Sequence, residues 1–186
     1  LRQLEMKNFR LNKFFPYSRQ NINSRDIVEV TRVLKSDFIT QGPKILEFEN
    51  NFAKFVKAKY AVACATGTAA LHIACKSLGL SKNDTLLTTP ITFVASANCA
   101  EFIGAKTLFS DINLENYCLC PTQLEKILKK KKIKIVVVVH LAGHAANLDK
   151  ILKLKKKYKF KIIEDSCQAL GGEFKKKKIG SCFFSE

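Results

Sequence analysis

One segment of the chain combines the residue types that bind a phosphate group. Ala65–Leu71 follows a short apolar run and opens a stretch with helical periodicity. Gly67 permits a tight turn, the backbone N–H groups from Gly67 to Ala69 can point at an anion, and Thr66 and Thr68 add hydroxyls. Small residues at this position equally permit close packing of a helix on a sheet. The segment therefore predicts either a phosphate cradle or a packing contact.

Two further segments offer an aromatic ring and carboxylates. Phe93, within Thr88–Ala95, could lie flat on a planar ligand, although taken alone it is more readily a core residue. Glu164 and Asp165 end an apolar strand pattern, where a carboxylate that pairs with a cation, such as a protonated ring nitrogen, stays charged. Gln168 could hold a ring substituent. The alternative for Asp165 is that it caps a following helix.

The elements that must position these residues alternate along the chain from Tyr60 onward. Short apolar runs predict strands over Tyr60–Cys64, Thr85–Thr88, Lys106–Ser110, Ile133–Val139 and Lys161–Glu164. Helical periodicity predicts helices near Thr68–Leu78, Phe93–Phe102, Thr122–Lys129 and Leu148–Lys157. This alternation is typical of an α/β fold with a mostly parallel sheet flanked by helices. Ligands bind such sheets at the carboxyl ends of the strands, where all three segments lie.

The chain is expected to have three parts. Residues 1–23 form a basic N-terminal segment and residues 24–58 form N-terminal helices, the first capped by Asn23 or Ser24. Residues 59–186 form the α/β domain, which we expect to be incomplete at its C-terminus.

Composition excludes several classes of protein. Of the 186 residues, 47% are hydrophobic and 26% are charged, which excludes disorder throughout. No apolar run reaches the length that crosses a bilayer, and no secretory leader opens the sequence, so we expect a cytoplasmic protein without a membrane partner. The seven Cys include no C-x-x-C pair and are expected to be reduced thiols, with no metal site.

A surplus of positive charge leaves one alternative of another class. Lys and Arg number 32 against 16 acidic residues, giving a net charge of +16, as in many nucleic-acid-binding modules. The surplus is nearly all Lys, however, with five Arg, and it lies in runs such as Lys129–Lys132 and Lys155–Lys157. Such runs favour a solvated surface over a basic nucleic-acid-binding module, and we expect no nucleic-acid partner.

The order of phosphate cradle, aromatic ring and carboxylate matches the sites that hold pyridoxal phosphate. From about Tyr17 the chain resembles the nucleotide-sugar aminotransferases of the DegT/StrS type, which are fold-type-I pyridoxal-phosphate enzymes. Besides Ala65–Leu71, the motifs that carry the resemblance are Thr40–Gly42, Thr89–Asn98, Asp111-Ile112, His140–Gly143, Asn147–Asp149 and Glu164–Gly171. The resemblance is strongest to members of pseudaminic-acid biosynthesis. It implies the large domain of an aspartate-aminotransferase-like fold, truncated.

The resemblance also implies roles for individual residues. Thr66, Gly67 and Thr68 would hold the cofactor phosphate, and Phe93 would stack on the pyridine ring. Asp165 would pair with the ring nitrogen, and Gln168 would lie near the ring hydroxyl. The implied reaction moves an amino group from glutamate to a UDP-linked 4-keto-6-deoxy sugar, and the implied assembly is a homodimer whose active site takes residues from both subunits.

The resemblance implies that the catalytic Lys lies outside this sequence. The family's Schiff-base Lys is expected beyond Glu186, and Lys175–Lys178 match an exposed turn instead, so we name no catalytic residue and expect the chain alone to be inactive. We expect His72 to be packed or on the surface and His140 to be structural. A sugar dehydratase, an aminotransferase for another keto sugar and a degenerate fragment stay open as alternatives.

Overall fold

The computed structural model describes residues 19–181, which fall into two compact units that divide between Pro43 and Lys44. The described part of the first unit contains helix α1, Ser24–Leu34. Of the two predicted caps, Asn23 and Ser24, the N-cap is Asn23: its side chain accepts from the Arg25 N–H, and Asp26 accepts in return from the Asn23 N–H, at 2.8 Å each. None of the side chains of α1 is buried. Residues 1–18 of the predicted basic segment 1–23, and residues 182–186, lie outside the described residues. The domain limits at 23 and 58 stay predictions.

The second unit is the predicted α/β fold. Its helices are α2 (Pro43–Val56), α3 (Gly67–Ser77), α4 (Ala95–Glu101), α5 (Pro121–Leu128) and α6 (Leu148–Tyr158). Its strands are β1 (Thr85–Thr88), β2 (Lys106–Phe109), β3 (Ile135–Val139) and β4 (Lys161–Asp165), followed by the short strands β5 (Glu173–Phe174) and β6 (Lys177–Lys178). A 3₁₀ turn at Leu141–Gly143 follows β3.

The four longer strands form one parallel sheet in the order β2-β1-β3-β4. The chain runs outward from β1 to β2 and then crosses back to β3 on the other side of β1. Such a reversal of strand order opens a crevice at the carboxyl ends of the two strands, here β1 and β3. β5 and β6 form a separate antiparallel hairpin.

Strand β3 is the centre of the core, and all five of its residues are buried. Because side chains alternate across a strand, Ile135, Val137 and Val139 pack with α3 and α4 on one face. Val136 and Val138 pack with α5 and α6 on the other. This burial on both faces explains the unbroken β-branched run, as predicted for a parallel sheet covered on both sides.

One predicted strand is wrong. Tyr60–Cys64 is irregular, and it has no strand partner among residues 19–181. Tyr60 is 75% exposed and Val62 81% exposed, so the apolar run that suggested a strand does not enter the core. Its Ala63 N–H instead donates to the Glu49 carboxylate on α2, at 2.8 Å. The other four strands agree with the prediction to within two residues.

The cysteines in the described part of the chain are free thiols, as predicted; Cys182 lies outside that part. Among residues 19–181, no cluster of His, Cys, Asp and Glu could hold a metal ion, and no helix is long and apolar enough to cross a membrane.

Candidate cofactor-binding site

A cavity of about 310 Å³ opens at the carboxyl ends of the strands. Five of the six residues expected to contact the cofactor line it: Gly67, Thr68, Phe93, Asp165 and Gln168. They come from the start of α3, the loop after β1, the last residue of β4 and the segment that follows it. The volume is at the lower end of the range for small-molecule sites. The sixth residue, Thr66, lies on an adjacent groove.

Thr66 is the N-cap of α3. Its Oγ1 accepts from the Ala69 N–H at 3.1 Å, and its carbonyl accepts from the Ala70 N–H at 3.0 Å. The Ala69 N–H is thereby engaged within the helix. The N–H groups of Gly67 and Thr68 belong to the first turn, which has no intrahelical acceptor for them. They are the N–H groups that this helix start offers to an anion, together with the Thr68 hydroxyl.

Gly67 lies against Cys167. A Cβ atom at position 67 would approach the Cys167 Sγ to 3.1 Å, tighter than ordinary contact. The start of α3 and the segment after β4 therefore meet closely, and glycine keeps that side of the cavity open. Burial, then hydrogen bonding to Asp165, raises the pKa of the Cys167 thiol to about 11, so the thiol is neutral at physiological pH.

Phe93 is not a core residue. Phe93 is 72% exposed on the wall of the cavity, whereas five of the seven residues of the following helix α4 are buried. An exposed aromatic ring beside a cavity is available to stack on a planar ligand.

Asp165 ends β4 and is 7% exposed. Its Oδ2 accepts from the Ser96 hydroxyl at 2.6 Å, and its Oδ1 lies 3.4 Å from the Cys167 N–H. No helix begins between residues 166 and 181, so the capping role weighed for Asp165 is wrong. No Lys or Arg of the described part of the chain forms an ion pair with it. A buried carboxylate without a protein cation suits a cationic ligand group.

Gln168 is oriented by the turn after β3. Its Oε1 accepts from the Ala142 N–H at 2.8 Å, where Ala142 has a left-handed φ of 51°. Because a backbone N–H can only donate, the oxygen end of the amide must face Ala142. The amino end is then the end of Gln168 that can donate.

His140 is a buried structural residue, as expected, although it also contributes to the cavity wall. Its Nδ1 accepts from the Ala146 N–H at 3.1 Å, so the ring proton is on Nε2, which donates to Glu164 at 3.0 Å. Both ring nitrogens are therefore engaged in holding the loop after β3 to β4. His72 packs beside Phe102, with ring centroids 5.6 Å apart.

No Lys among residues 19–181 lines the cavity. Lys175 and Lys176 form the exposed tip of the β5–β6 hairpin, each with positive φ, as expected for a turn. The site as described is thus a binding site without a nucleophilic amine.

Sequence reasoning missed Ser96, Thr92 and Cys167 as parts of the site. Thr92 Oγ1 lies 2.9 Å from Ser96 Oγ, and Ser96 Oγ donates to Asp165, so two hydroxyls and the carboxylate form a chain of hydrogen bonds. All three residues stand within the motifs that carried the resemblance, but their spacing gave no signal for contacts to a carboxylate.

The residues present fit pyridoxal phosphate. The start of α3 suits its phosphate, the exposed Phe93 ring suits its planar ring, and the buried Asp165 carboxylate suits its protonated nitrogen. An ordinary nucleotide phosphate would leave Asp165 without a cationic partner.

Comparison with known proteins identifies the family of the chain. Residues 20–183 match the DegT/DnrJ/EryC1/StrS aminotransferase family. The UDP-4-amino-4,6-dideoxy-N-acetyl-β-L-altrosamine transaminase of Campylobacter jejuni is 40% identical over 167 residues, which cover 89% of this chain and 44% of that protein.

Two solved structures share the fold. Helicobacter pylori PseC, an aminotransferase of pseudaminic-acid biosynthesis, superposes with a TM-score of 0.85 at 32% identity, over 90% of this chain and 45% of its own. The putative sugar aminotransferase Spr1654 of Streptococcus pneumoniae, in its pyridoxal-phosphate form, superposes with a TM-score of 0.84 at 27% identity, over 89% of this chain and 46% of its own.

The chain spans less than half the length of these relatives. Within that span it has their parallel sheet and flanking helices. The chain belongs to the DegT/DnrJ/EryC1/StrS aminotransferase family, whose aminotransferases use pyridoxal phosphate.

Proposed function

We propose that this chain is the cofactor-binding part of a nucleotide-sugar aminotransferase and that it binds pyridoxal phosphate in the cavity at residues 67, 93 and 165. The observation that carries the proposal is Asp165, a carboxylate 7% exposed, without a cation from the described chain, on the wall of the cavity that the start of α3 also lines.

Each residue has a defined task in this proposal. The N–H groups of Gly67 and Thr68 hold the phosphate at the positive end of α3. Phe93 covers one face of the ring, and Asp165 keeps a proton on the ring nitrogen by supplying the opposing charge. The amino end of Gln168 donates toward the ring hydroxyl. When bound, pyridoxal phosphate supplies an electron sink for amino transfer.

For the whole protein we propose amino transfer from glutamate to a UDP-linked 4-keto-6-deoxy sugar. Glutamate gives up its amino group and leaves as 2-oxoglutarate, and the keto carbon of the sugar becomes an amino-bearing carbon. The C. jejuni transaminase and H. pylori PseC support a role in pseudaminic-acid biosynthesis. UDP-sugars are made in the cytoplasm, which is the location that we propose.

We also propose that the protein acts as a homodimer. Four large apolar side chains on α3, in the loop before α4 and just after α4 are 53–72% exposed: Ile73, Phe93, Val94 and Phe102. Large apolar side chains left exposed to water are typical of interaction surfaces. Sedimentation velocity over a range of concentrations tests this; a monomer at all concentrations of the complete protein would contradict it.

The binding proposal is tested with pyridoxamine 5′-phosphate, because it lacks the aldehyde that would react with surface lysines. Equilibrium dialysis of the chain should show one saturable site. Asp165→Asn should weaken binding about 30-fold or more, since it removes one charge of a buried pair. Asp149→Asn makes the same change on α6 at a residue that does not line the cavity, and it should leave the affinity unchanged. Equal affinities for the two variants would contradict the proposal.

The activity is tested on the complete protein that carries this chain. Purified protein, pyridoxal phosphate, glutamate and the UDP-4-keto sugar should yield 2-oxoglutarate, which glutamate dehydrogenase detects by oxidation of NADH. The 186-residue chain alone should give none. Consumption of the sugar without 2-oxoglutarate would indicate the dehydratase alternative instead.

A further inference from the structure

We propose that Ser96 is a positioning residue for Asp165, and that a hydrogen bond from Thr92 holds Ser96 in place. Its hydroxyl fixes the carboxylate in the orientation that a protonated ring nitrogen needs. The inference rests on the proposed function, because it concerns the carboxylate that we assign to the cofactor. It adds two hydroxyl groups to the residues that determine how the cofactor binds.

The contacts are short and shielded from water. Ser96 Oγ lies 2.6 Å from Asp165 Oδ2, within the range of hydrogen bonds from a hydroxyl to a charged carboxylate. Ser96 is fully buried and Asp165 is 7% exposed, so water does not compete for this bond. Thr92 Oγ1 lies 2.9 Å from the same Ser96 Oγ and reaches the cavity wall.

The direction of both hydrogen bonds follows from the charge on Asp165. An ionised carboxylate only accepts, so the one proton of Ser96 goes to Asp165 Oδ2. Ser96 can then only accept from Thr92. The two bonds run in one direction toward the carboxylate, and each polarises the next. Oδ2 is thereby committed, and Asp165 cannot rotate without breaking a buried charge-assisted bond.

The fold explains why the contact spans 69 residues. Ser96 follows β1, Asp165 ends β4, and β3 lies between those strands in the sheet. Neighbouring strands are about 4.8 Å apart, so residues 92–96 must cross the carboxyl end of β3 to reach Asp165. The same residues include Phe93. One segment therefore places both the stacking ring and the hydroxyl that orients the carboxylate.

The test uses pyridoxamine 5′-phosphate labelled with ¹⁵N in the pyridine ring, because the ¹⁵N chemical shift reports protonation of that nitrogen directly. Ser96→Ala should bind about 10-fold more weakly, the effect of losing one charge-assisted hydrogen bond. At saturation, its bound ring nitrogen should lose the proton at a lower pH than in the wild type. Thr92→Val should change the affinity and the pH of proton loss in the same direction but less, and Thr92→Ser, which keeps the hydroxyl, should match the wild type in both.

Ser110→Ala is the matched control. Ser110 is 1% exposed and its Oγ has no hydrogen-bond partner among residues 19–181, so this variant also loses a buried hydroxyl but no hydrogen bond. It should match the wild type in affinity and in the ¹⁵N titration. If Ser96→Ala does not fold, Thr92→Val decides, since Thr92 is only half-buried.

The outcomes separate this inference from the proposed function. The positioning role is overturned if Ser96→Ala has the affinity and the ¹⁵N titration of the wild type; if Ser96→Ala does not fold, the same result in Thr92→Val overturns it. In that case the proposed function still stands if Asp165→Asn loses binding. If Asp165→Asn also binds like the wild type, the proposed function itself fails. Weaker binding with an unchanged ¹⁵N titration also overturns the inference, because a merely structural role would give that result.

Discussion

Replacing His140 by Ala should destabilise the chain by about 4 kcal/mol. The His140 side chain is fully buried, and Glu164, its partner at 3.0 Å, is 8% exposed. Removal of the neutral imidazole leaves the buried Glu164 carboxylate without its hydrogen-bond donor, and a buried charge left without a partner costs about 3–5 kcal/mol. The Ala146 N–H, 3.1 Å from His140 Nδ1, loses its acceptor as well.

Two further variants sharpen this prediction. Glu164→Gln should cost only about 1 kcal/mol, since its amide oxygen can still accept from the imidazole Nε2–H. His144→Ala should change stability by less than about 0.5 kcal/mol, because His144 is exposed on the same loop. In the double variant His140→Ala/Glu164→Gln, no carboxylate is left buried without a partner. Its loss of stability should therefore be less than the sum of the losses in the two single variants.

The assay is urea unfolding followed by circular dichroism at pH 7. With total stabilities of about 5–15 kcal/mol for typical domains, a loss of 4 kcal/mol gives a large shift of the midpoint. A His140→Ala variant as stable as His144→Ala would refute the structural role. Unchanged stability with lost binding of pyridoxamine phosphate would instead make His140 a cofactor contact.

Three other predictions concern single positions. Gly67→Ala places a methyl group 3.1 Å from Cys167 Sγ. It should reduce the affinity for pyridoxamine phosphate about 10-fold or more, while the free energy of unfolding measured in urea changes by about 1 kcal/mol or less. Unchanged affinity would contradict the close approach of position 67 to Cys167. Iodoacetamide should alkylate Cys167 slowly at pH 7, and the rate should rise toward a midpoint near pH 11, because the pKa of this thiol is raised to about 11. Peptide mass mapping measures the rate, and a fast reaction at pH 7 would refute the raised pKa. The hydrogen bond from Lys134 lowers the pKa of Asp84, so this pair stabilises the fold above the ordinary pKa of Asp and loses its effect as pH falls through the lowered value. Asp84→Asn should therefore lower the urea midpoint at pH 7 and not in strong acid, and equal losses at both pH values would contradict the linkage.

The sheet could be predicted because its pattern is local. Ile135–Val139 is an unbroken β-branched run, and the alternation of strands and helices around it specifies a parallel sheet. Tyr60–Cys64 has a similar apolar pattern but no strand partner in the described chain, and sequence alone does not reveal whether a partner is present.

The composition of the site was predictable, but its supporting contacts were not. Phe93, Asp165 and Gln168 stand out because aromatic, carboxylate and amide groups at strand ends suit a ligand. The bond between Ser96 and Asp165 depends on the order of strands, since β3 separates their elements. The bond between Gln168 and Ala142 depends on a left-handed backbone at Ala142, which no residue type there signals.

Gly67 and Asp165 are proposed to hold the two ends of one cofactor. The most direct measurement is a crystal structure of the chain with pyridoxamine 5′-phosphate. We predict the phosphate on the N–H groups of Gly67 and Thr68, the ring against Phe93, and its nitrogen within hydrogen-bonding distance of the Asp165 carboxylate. Phosphate bound on the lysine-rich surface, with the strand-end cavity empty, would contradict the account.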